Sequence, residues 1–398
     1  SQVGTSSGLT VQGELDALET TVSGLDKTLR SDLETSTGAS LVGYSSTTVE
    51  GALDGLLARE VINPVTFGAD PTGSSDSREA FVAAEAAAFA KGSSLVAEGV
   101  FLFNSGFTCR VPFDFSRAEF HIGAGWDGAT SRYLVHLTHP SNSTTTAAVL
   151  VAAQGTTVPA LADYANHCVH VQSTTETGYI RQGTTIFKQE VFHIINGVAQ
   201  GYPSNIDLNS NCIIKASSLD VAPIEVRLPK VVFDVVPAVP INHVFRIERA
   251  FVDVIGGSYN THAQSVAAGR QAFNAFVNLM STCYRVRVIG TTGYGFFKNT
   301  SDGFSYTVNL SGMYPEAISC SDPENWGLVD GTLLKGALIK RCHGARMGTH
   351  EDATDLTFED CTAYTRGFMV GSGYGTLTMV NPVFYMREAQ NMLEFRYD

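Results

Sequence analysis

The sequence predicts an all-β solenoid, a parallel β-helix in which short strands stack coil upon coil. Three observations carry that expectation. First, the segments 338–344, 356–362 and 377–383 share one pattern: a β-prone run, a polar or Cys position, and a turn-forming or charged corner. Ile339 and Phe358 lie 19 residues apart, as do Cys342 and Cys361, and Phe358 and Val380 lie 22 apart. Second, the pattern recurs more loosely at 252–257, 286–290 and 306–312. The spacings between Ile255, Ile289, Leu310, Ile339, Phe358 and Val380 are then 34, 21, 29, 19 and 22. Repeats of about 20–30 residues mark a solenoid, and strands without an intervening helix make it a β-helix. Third, 38 Gly and only 16% charged residues favour turns and strands over solvated helices.

The bulk numbers narrow the function. A chain of 398 residues can hold two or three domains, and 44% hydrophobic content is ordinary for a globular protein. A net charge of −13 with no basic stripe argues against a nucleic-acid partner. An acidic sugar polymer stays open, because a local Arg cluster can hold a carboxylate. The seven cysteines (Cys109, Cys168, Cys212, Cys283, Cys320, Cys342 and Cys361) show no CxxC pairing, so free buried thiols are expected rather than a zinc site. No metal or cofactor motif is visible. Without a long apolar run, no membrane insertion is expected. SQVGTSSGLT at the start lacks the basic and apolar parts of a signal peptide, which suggests folding in a reducing cytosol.

Four stretches follow along the chain. In residues 1–34, Val11, Leu15, Leu18, Val22, Leu25 and Leu29 form an a/d seam of under three heptads, with charges kept off it. So short a helix is marginal alone and is expected to assemble with copies of itself. Residues 35–63 read as a connector with a short helix opening at Thr47, where Glu50 completes a capping box. Residues 64–92 read as an entry strand, an Asp70-Pro71-Thr72-Gly73 turn and a helix. That helix has Ser75 or Asp76 as cap, Phe81 and alanines on its packing face, and Lys91-Gly92 as stop. The first coil of a solenoid leaves its apolar interior open, and this helix is placed to cover it. Residues 93–398 read as the β-helix itself, continuing beyond Asp398.

The stretch "VTFGADPTGSSDSREAFVAAEAAA" resembles the opening signature of the pectate-lyase-like, right-handed β-helix superfamily. The heptads and "TTVEGALDGLLAREV" resemble the N-terminal part of bacteriophage tailspikes and tail-fibre depolymerases. The likeness covers about residues 10–92 as motif and 240–398 as repeat style. It implies a homotrimer in the phage tail, assembled in the host cytoplasm. Such a spike attaches to a baseplate or adaptor protein through its N-terminus and takes a bacterial surface polysaccharide as partner.

Two loops carry candidate chemistry. Arg346, His350, Glu351, Asp352 and Asp355, with His343 just before them, set an imidazole, carboxylates and a guanidinium at the corner of one coil. "RMGTHEDATDLTFEDCTA" also resembles a groove-lining stretch of phage depolymerases. A coil earlier, Asp322, Glu324 and Trp326, followed by Asp330, combine carboxylates with an aromatic face suited to a pyranose. Glycoside hydrolysis needs two opposed carboxyl groups, so Glu351, Asp352, His350, Glu324 and Asp322 are the catalytic candidates. Trp326, Arg346, His343 and Asp355 are the binding candidates. The bland alternative is a pair of solvated turns in which Asp352 or Asp355 caps local backbone. Asn260-Thr261-His262 reads as a corner turn, and His167, His170 and His193 as structural residues of strands. The leading expectation is a glycosidase. A lyase with a His base and Arg346 on a uronate carboxylate is the alternative, as is a non-catalytic receptor-binding protein.

Overall fold

The computed structural model describes residues 61–126, 132–148, 155, 157, 159–181, 184–200, 211–296, 305–371, 373–385 and 392–395. The heptad seam and nearly all of the connector lie outside them.

Entry into the rod differs from expectation. Val61–Ile62 is a short strand, but Pro64–Phe67 is a 3-10 turn rather than a strand. Pro64 fixes φ at its first position, and the Asn63 side chain accepts the Val65 N–H at 2.9 Å. The Asp70 turn is built as predicted. Its carboxylate accepts the Thr72 hydroxyl at 2.7 Å and the backbone N–H groups of Thr72, Ser74 and Ser75. The Thr72 hydroxyl first, then the Thr72 N–H and the hydroxyl and N–H of Ser75, hold its pKa down at about 2. Helix α1, Arg78–Lys91, starts one residue later than proposed, after Ser77; Asp76 still accepts the Arg78 N–H. Gly92 ends it at φ 64°. Phe81 is fully buried and packs on the rings of Phe101, Phe103, Phe107, Phe115 and Phe120, with centroids 5.1–5.7 Å away.

Parallel strands then pair coil to coil in three rows, adjacent strands standing about 4.8 Å apart. The first row stacks Ile62, Leu95, Phe113, Val226, Val254, Val288, Ala317, Ile339, Phe358 and Met379. The third stacks Phe107, Val135, Phe245, Val277, Val308, Val329, Met347, Phe368 and Leu393. Nearly all of these side chains join one continuous core. Ile339 and Phe358 face each other as predicted, and all seven cysteines are free and buried. Two register assignments need correction. Leu310 belongs to the third row, opposite Gly331, and Ala317 takes its place in the first. Phe358 meets Met379, while Val380 pairs with Glu359 and is exposed. A bulge between Thr354 and Leu356 shifts that strand pair by one residue.

The corner after the first row explains the repeat. Gly256, Gly290, Ser319, Arg341, Asp360 and Asn381 all have φ between 48° and 71°, one in each coil. Backbone N–H groups of Gly290, Ser319, Arg341 and Asp360 donate to the next coil at 2.8–2.9 Å. A single left-handed residue turns the chain inward again, which suits Gly, Asn and Asp. Asn260-Thr261-His262 is not such a corner, because helix α2, His262–Ala268, starts there.

The expectation of parallel coils throughout 93–398 fails for residues 143–218. There, strands Ser143–Ala148, His167–Arg181, Thr184–Ile195, Val198–Gln200 and Asn211–Ser218 form a separate antiparallel sheet. One of its faces has its own core of Val169, Val171, Phe192, Ile194 and Ile214. The other presents Cys168 and Val191 to Ala250, Tyr284, Met313 and Leu333 of the rod. Strict alternation along each strand makes both faces possible. The rod closes across the insertion, since Phe113 and Val226 pair directly.

Candidate functional site

Four residues spaced by 20, Tyr306, Trp326, Arg346 and Arg366, occupy successive coils on the third-row side. Arg346 and Arg366 place their guanidinium carbons 5.3 and 4.5 Å from the Trp326 ring centroid. Trp326 Nε1–H donates to the Tyr306 hydroxyl at 2.9 Å, and Arg366 donates to the Trp326 carbonyl at 2.9 Å. The two loops proposed from sequence therefore meet within one chain, through Trp326 and Arg346.

His350 stands beside this clamp, its ring 6.0 Å from that of Tyr306. Its Nδ1 lies 2.5 Å from Asp330 Oδ1, and its Nε2 lies 3.2 Å from Arg346 Nη2. A guanidinium only donates, so Nε2 accepts and Nδ1 carries the proton that bonds Asp330. Asp330, Arg346 and His350 are each at most 9% exposed, and a buried carboxylate and guanidinium of opposite charge compensate each other. The arrangement offers an oriented imidazole, a carboxyl group, a cation and an aromatic face. That set can move a proton next to a stacked sugar ring.

The remaining predicted residues divide. Glu351 is buried at the start of the strand Glu351–Glu359, next to His350 in sequence. Glu324 is half-buried, and its backbone N–H donates to Asp322. Asp322 is sealed inside the rod rather than facing a groove. It accepts the Tyr259 hydroxyl at 2.6 Å and the N–H groups of Gly295, Glu324 and Asn325 at 3.1–3.3 Å. Burial raises its pKa, opposed by those bonds. Gly293 makes this possible, because a Cβ there would stand 2.4 Å from the Tyr259 ring and 2.5 Å from Asp322 Oδ2. Asp352 sits at the seam with the inserted sheet, where Gln189 Nε2 is 3.5 Å from its Oδ2. Burial first, then the charges of Glu351 and Glu190, push its carboxyl up to about 6. Asp355 accepts the Thr376 N–H at 2.7 Å and holds a bulge, and His343 is exposed at a strand start.

Sequence reading placed Asp330 in the second loop but not among the catalytic or binding candidates, and it missed Tyr306 and Arg366. The signal was present. Asp330 precedes His350 by 20 residues, one coil, as Arg346 precedes Arg366.

No protein-family model matches the sequence, and no curated protein matches it. Among solved structures, the chain is similar to the tailspike of Acinetobacter baumannii bacteriophage AP22, determined with an A. baumannii capsular saccharide. The identity is 10% and the TM-score 0.47, over 88% of this chain and 62% of that one. A tailspike of Pseudomonas phage LKA1 aligns at 13% identity and TM-score 0.40, over 79% of this chain and 64% of that one. An exopolygalacturonase from Thermotoga maritima aligns at 12% identity and TM-score 0.38, over 85% of this chain and 76% of its own. The chain thus spans under two thirds of the length of the two phage proteins. Among solved structures the chain is similar to bacteriophage tailspikes and a pectin-degrading hydrolase, and its own strands pair coil to coil as a parallel β-helix.

Proposed function

We propose that this chain is a phage tailspike protomer that binds and depolymerises a bacterial capsular or surface polysaccharide. The observation that carries the reading is the Asp330–His350 pair beside the Trp326 clamp. Trp326 gives a pyranose its stacking face. Asp330 and Glu351 supply the carboxyl groups for glycoside hydrolysis, one protonating the leaving oxygen and the other activating water or attacking the anomeric carbon. A second chemistry is favoured by Arg346 lying on the same imidazole. There His350 Nε2 removes the proton α to a uronate carboxylate, and Arg346 stabilises that carboxylate as the electron pair expels the glycosidic oxygen. Homotrimer assembly through the 1–34 seam and attachment to the virion belong to the same proposal.

Incubation with a panel of capsular polysaccharides tests it. Hydrolysis yields new reducing ends alone, while elimination adds near-ultraviolet absorbance from a conjugated double bond. Asp330→Asn, His350→Gln and Glu351→Gln are expected to lower turnover by about 10²–10⁴ with binding retained, and Trp326→Ala to weaken binding. Binding without cleavage by the unaltered protein would replace this reading with a non-catalytic receptor-binding spike.

A further inference from the structure

A second corner ladder runs up the rod at the start of the first-row strands, where the left-handed corner already described runs at their ends, and like Arg341 in that corner its residues carry large side chains at positive φ. Phe251, Arg285 and Tyr314 hold φ of 54°, 50° and 54° in three successive coils, where Gly, Asn or Asp would be unstrained. The backbone ties them in line: Phe251 N–H donates to the Tyr284 carbonyl, and Arg285 N–H to that of Met313, both at 2.9 Å. Three large side chains in successive coils thus sit in a backbone region that disfavours them.

Phe251 and Arg285 edge a groove of 360 Å³ whose lining also includes Ile224, Glu225, Asp253 and Arg287. Its charges are settled with one exception. Glu225 accepts from Arg227 at 2.7 Å, and Arg287 Nε donates to Asp253 at 2.7 Å. Arg285 has no carboxylate within ion-pair distance among the described residues. Its guanidinium stands 5.6 Å from the Tyr284 ring and 6.0 Å from that of Tyr314, exposed at the rim. The Phe251 ring packs on the Tyr284 edge at 5.5 Å. An uncompensated planar cation, an aromatic wall and two hydroxyl-accepting carboxylates in one groove match a carboxylated sugar. The guanidinium fork takes the carboxylate, Phe251 takes the C–H face, and Glu225 and Asp253 take hydroxyls.

We infer that this groove is a second saccharide site, separate from the Trp326 clamp and selective for a uronate-type, carboxylated unit. The inference rests on the reading of the rod as a polysaccharide-binding surface, and not on cleavage. Calorimetric titration of the full chain with trigalacturonate, with maltotriose as the neutral probe, tests it. Arg285→Gly removes the cation and relieves the backbone, so the fold is kept. It should weaken trigalacturonate at least tenfold, Arg285→Lys should restore part of that loss, and His350→Gln should leave it unchanged. Maltotriose should bind far more weakly and show no dependence on Arg285. No trigalacturonate binding, binding indifferent to Arg285→Gly, or equal competition by acetate would overturn the inference. Cleavage without Arg285-dependent binding sinks this site alone; Arg285-dependent binding without cleavage sinks only the depolymerase reading.

Discussion

In the rod, Phe358 meets residues that lie 19 positions before it and 21 after it, and every coil repeats the arrangement. In the inserted sheet, His170 meets Val191 on one side and Lys215 on the other, through antiparallel ladders with their own core. The two regions distribute stability differently. The rod is a one-dimensional stack in which each coil seals the next, whereas the sheet is a local unit docked on a corner of that stack. The difference teaches where damage travels. A lost side chain in the stack opens two neighbouring coils, and a lost side chain in the sheet stays within it.

The largest test of that contrast is Phe358→Ala against Phe192→Ala, since both side chains are buried. Each should cost about 3–5 kcal/mol locally. Phe358→Ala should lower the main denaturant transition, while Phe192→Ala should strip amide-exchange protection from residues 159–218 and leave 224–380 protected. Equal loss of protection in the rod would show that the two regions unfold together.

The seam gives the next effect. Lys335 of the rod and Glu190 of the sheet form an ion pair, both side chains almost fully buried. Lys335→Met removes the ammonium opposite that buried carboxylate and should cost about 3–5 kcal/mol. Adding Glu190→Leu should recover most of it, and a double variant as weak as the single one would mean that packing, not charge, docks the sheet.

Asp352 sharpens the same seam through pH. Its carboxyl is raised from 3.8 to about 6 by burial, so the stability it lends is full below about pH 4 and is lost as pH rises through 6. Asp352→Asn, well suited to the φ of 50°, should therefore add about 2–3 kcal/mol at pH 8 and almost nothing at pH 4. A pH-independent gain would assign the effect to backbone conformation.

The smallest expected effect lies within the stack. Gly293→Ala places a methyl between Tyr259 and Asp322 and should cost about 1–2 kcal/mol by forcing the phenol aside. A stable variant with the Tyr259–Asp322 bond intact by crystallography would show that the rod relaxes there more easily than its packing implies.

Legibility followed the same divide. Phe81, Gly92, the Asp70 turn, the Ile339–Phe358 stack and the buried thiols were readable, because each depends on neighbours in sequence or on a repeat of nearly constant length. The sheet at 143–218 was not. Its alternation, Val169 and Val171 against Cys168 and His170, fits a strand of either kind, and periodicity carries no strand direction. In the candidate site, Trp326, Arg346 and His350 were read as polar and aromatic residues at coil corners, whereas Asp322 was misplaced. A buried position looks like a loop carboxylate until Tyr259 and Gly293 are seen to enclose it.

By itself the sequence determined a β-rich, repeating chain with a helix near its start and left-handed corners at Gly256, Gly290, Asp360 and Asn381, since these are local preferences of backbone and side chain. Only the tertiary structure decided which residues meet. Coils of 34, 29, 22, 19 and 21 residues between the six successive corners Gly256, Gly290, Ser319, Arg341, Asp360 and Asn381 leave the register open to a one-residue slip, as between Met379 and Val380. Burial settles it, because a slip of one residue would turn the whole inward stack of apolar side chains out to water.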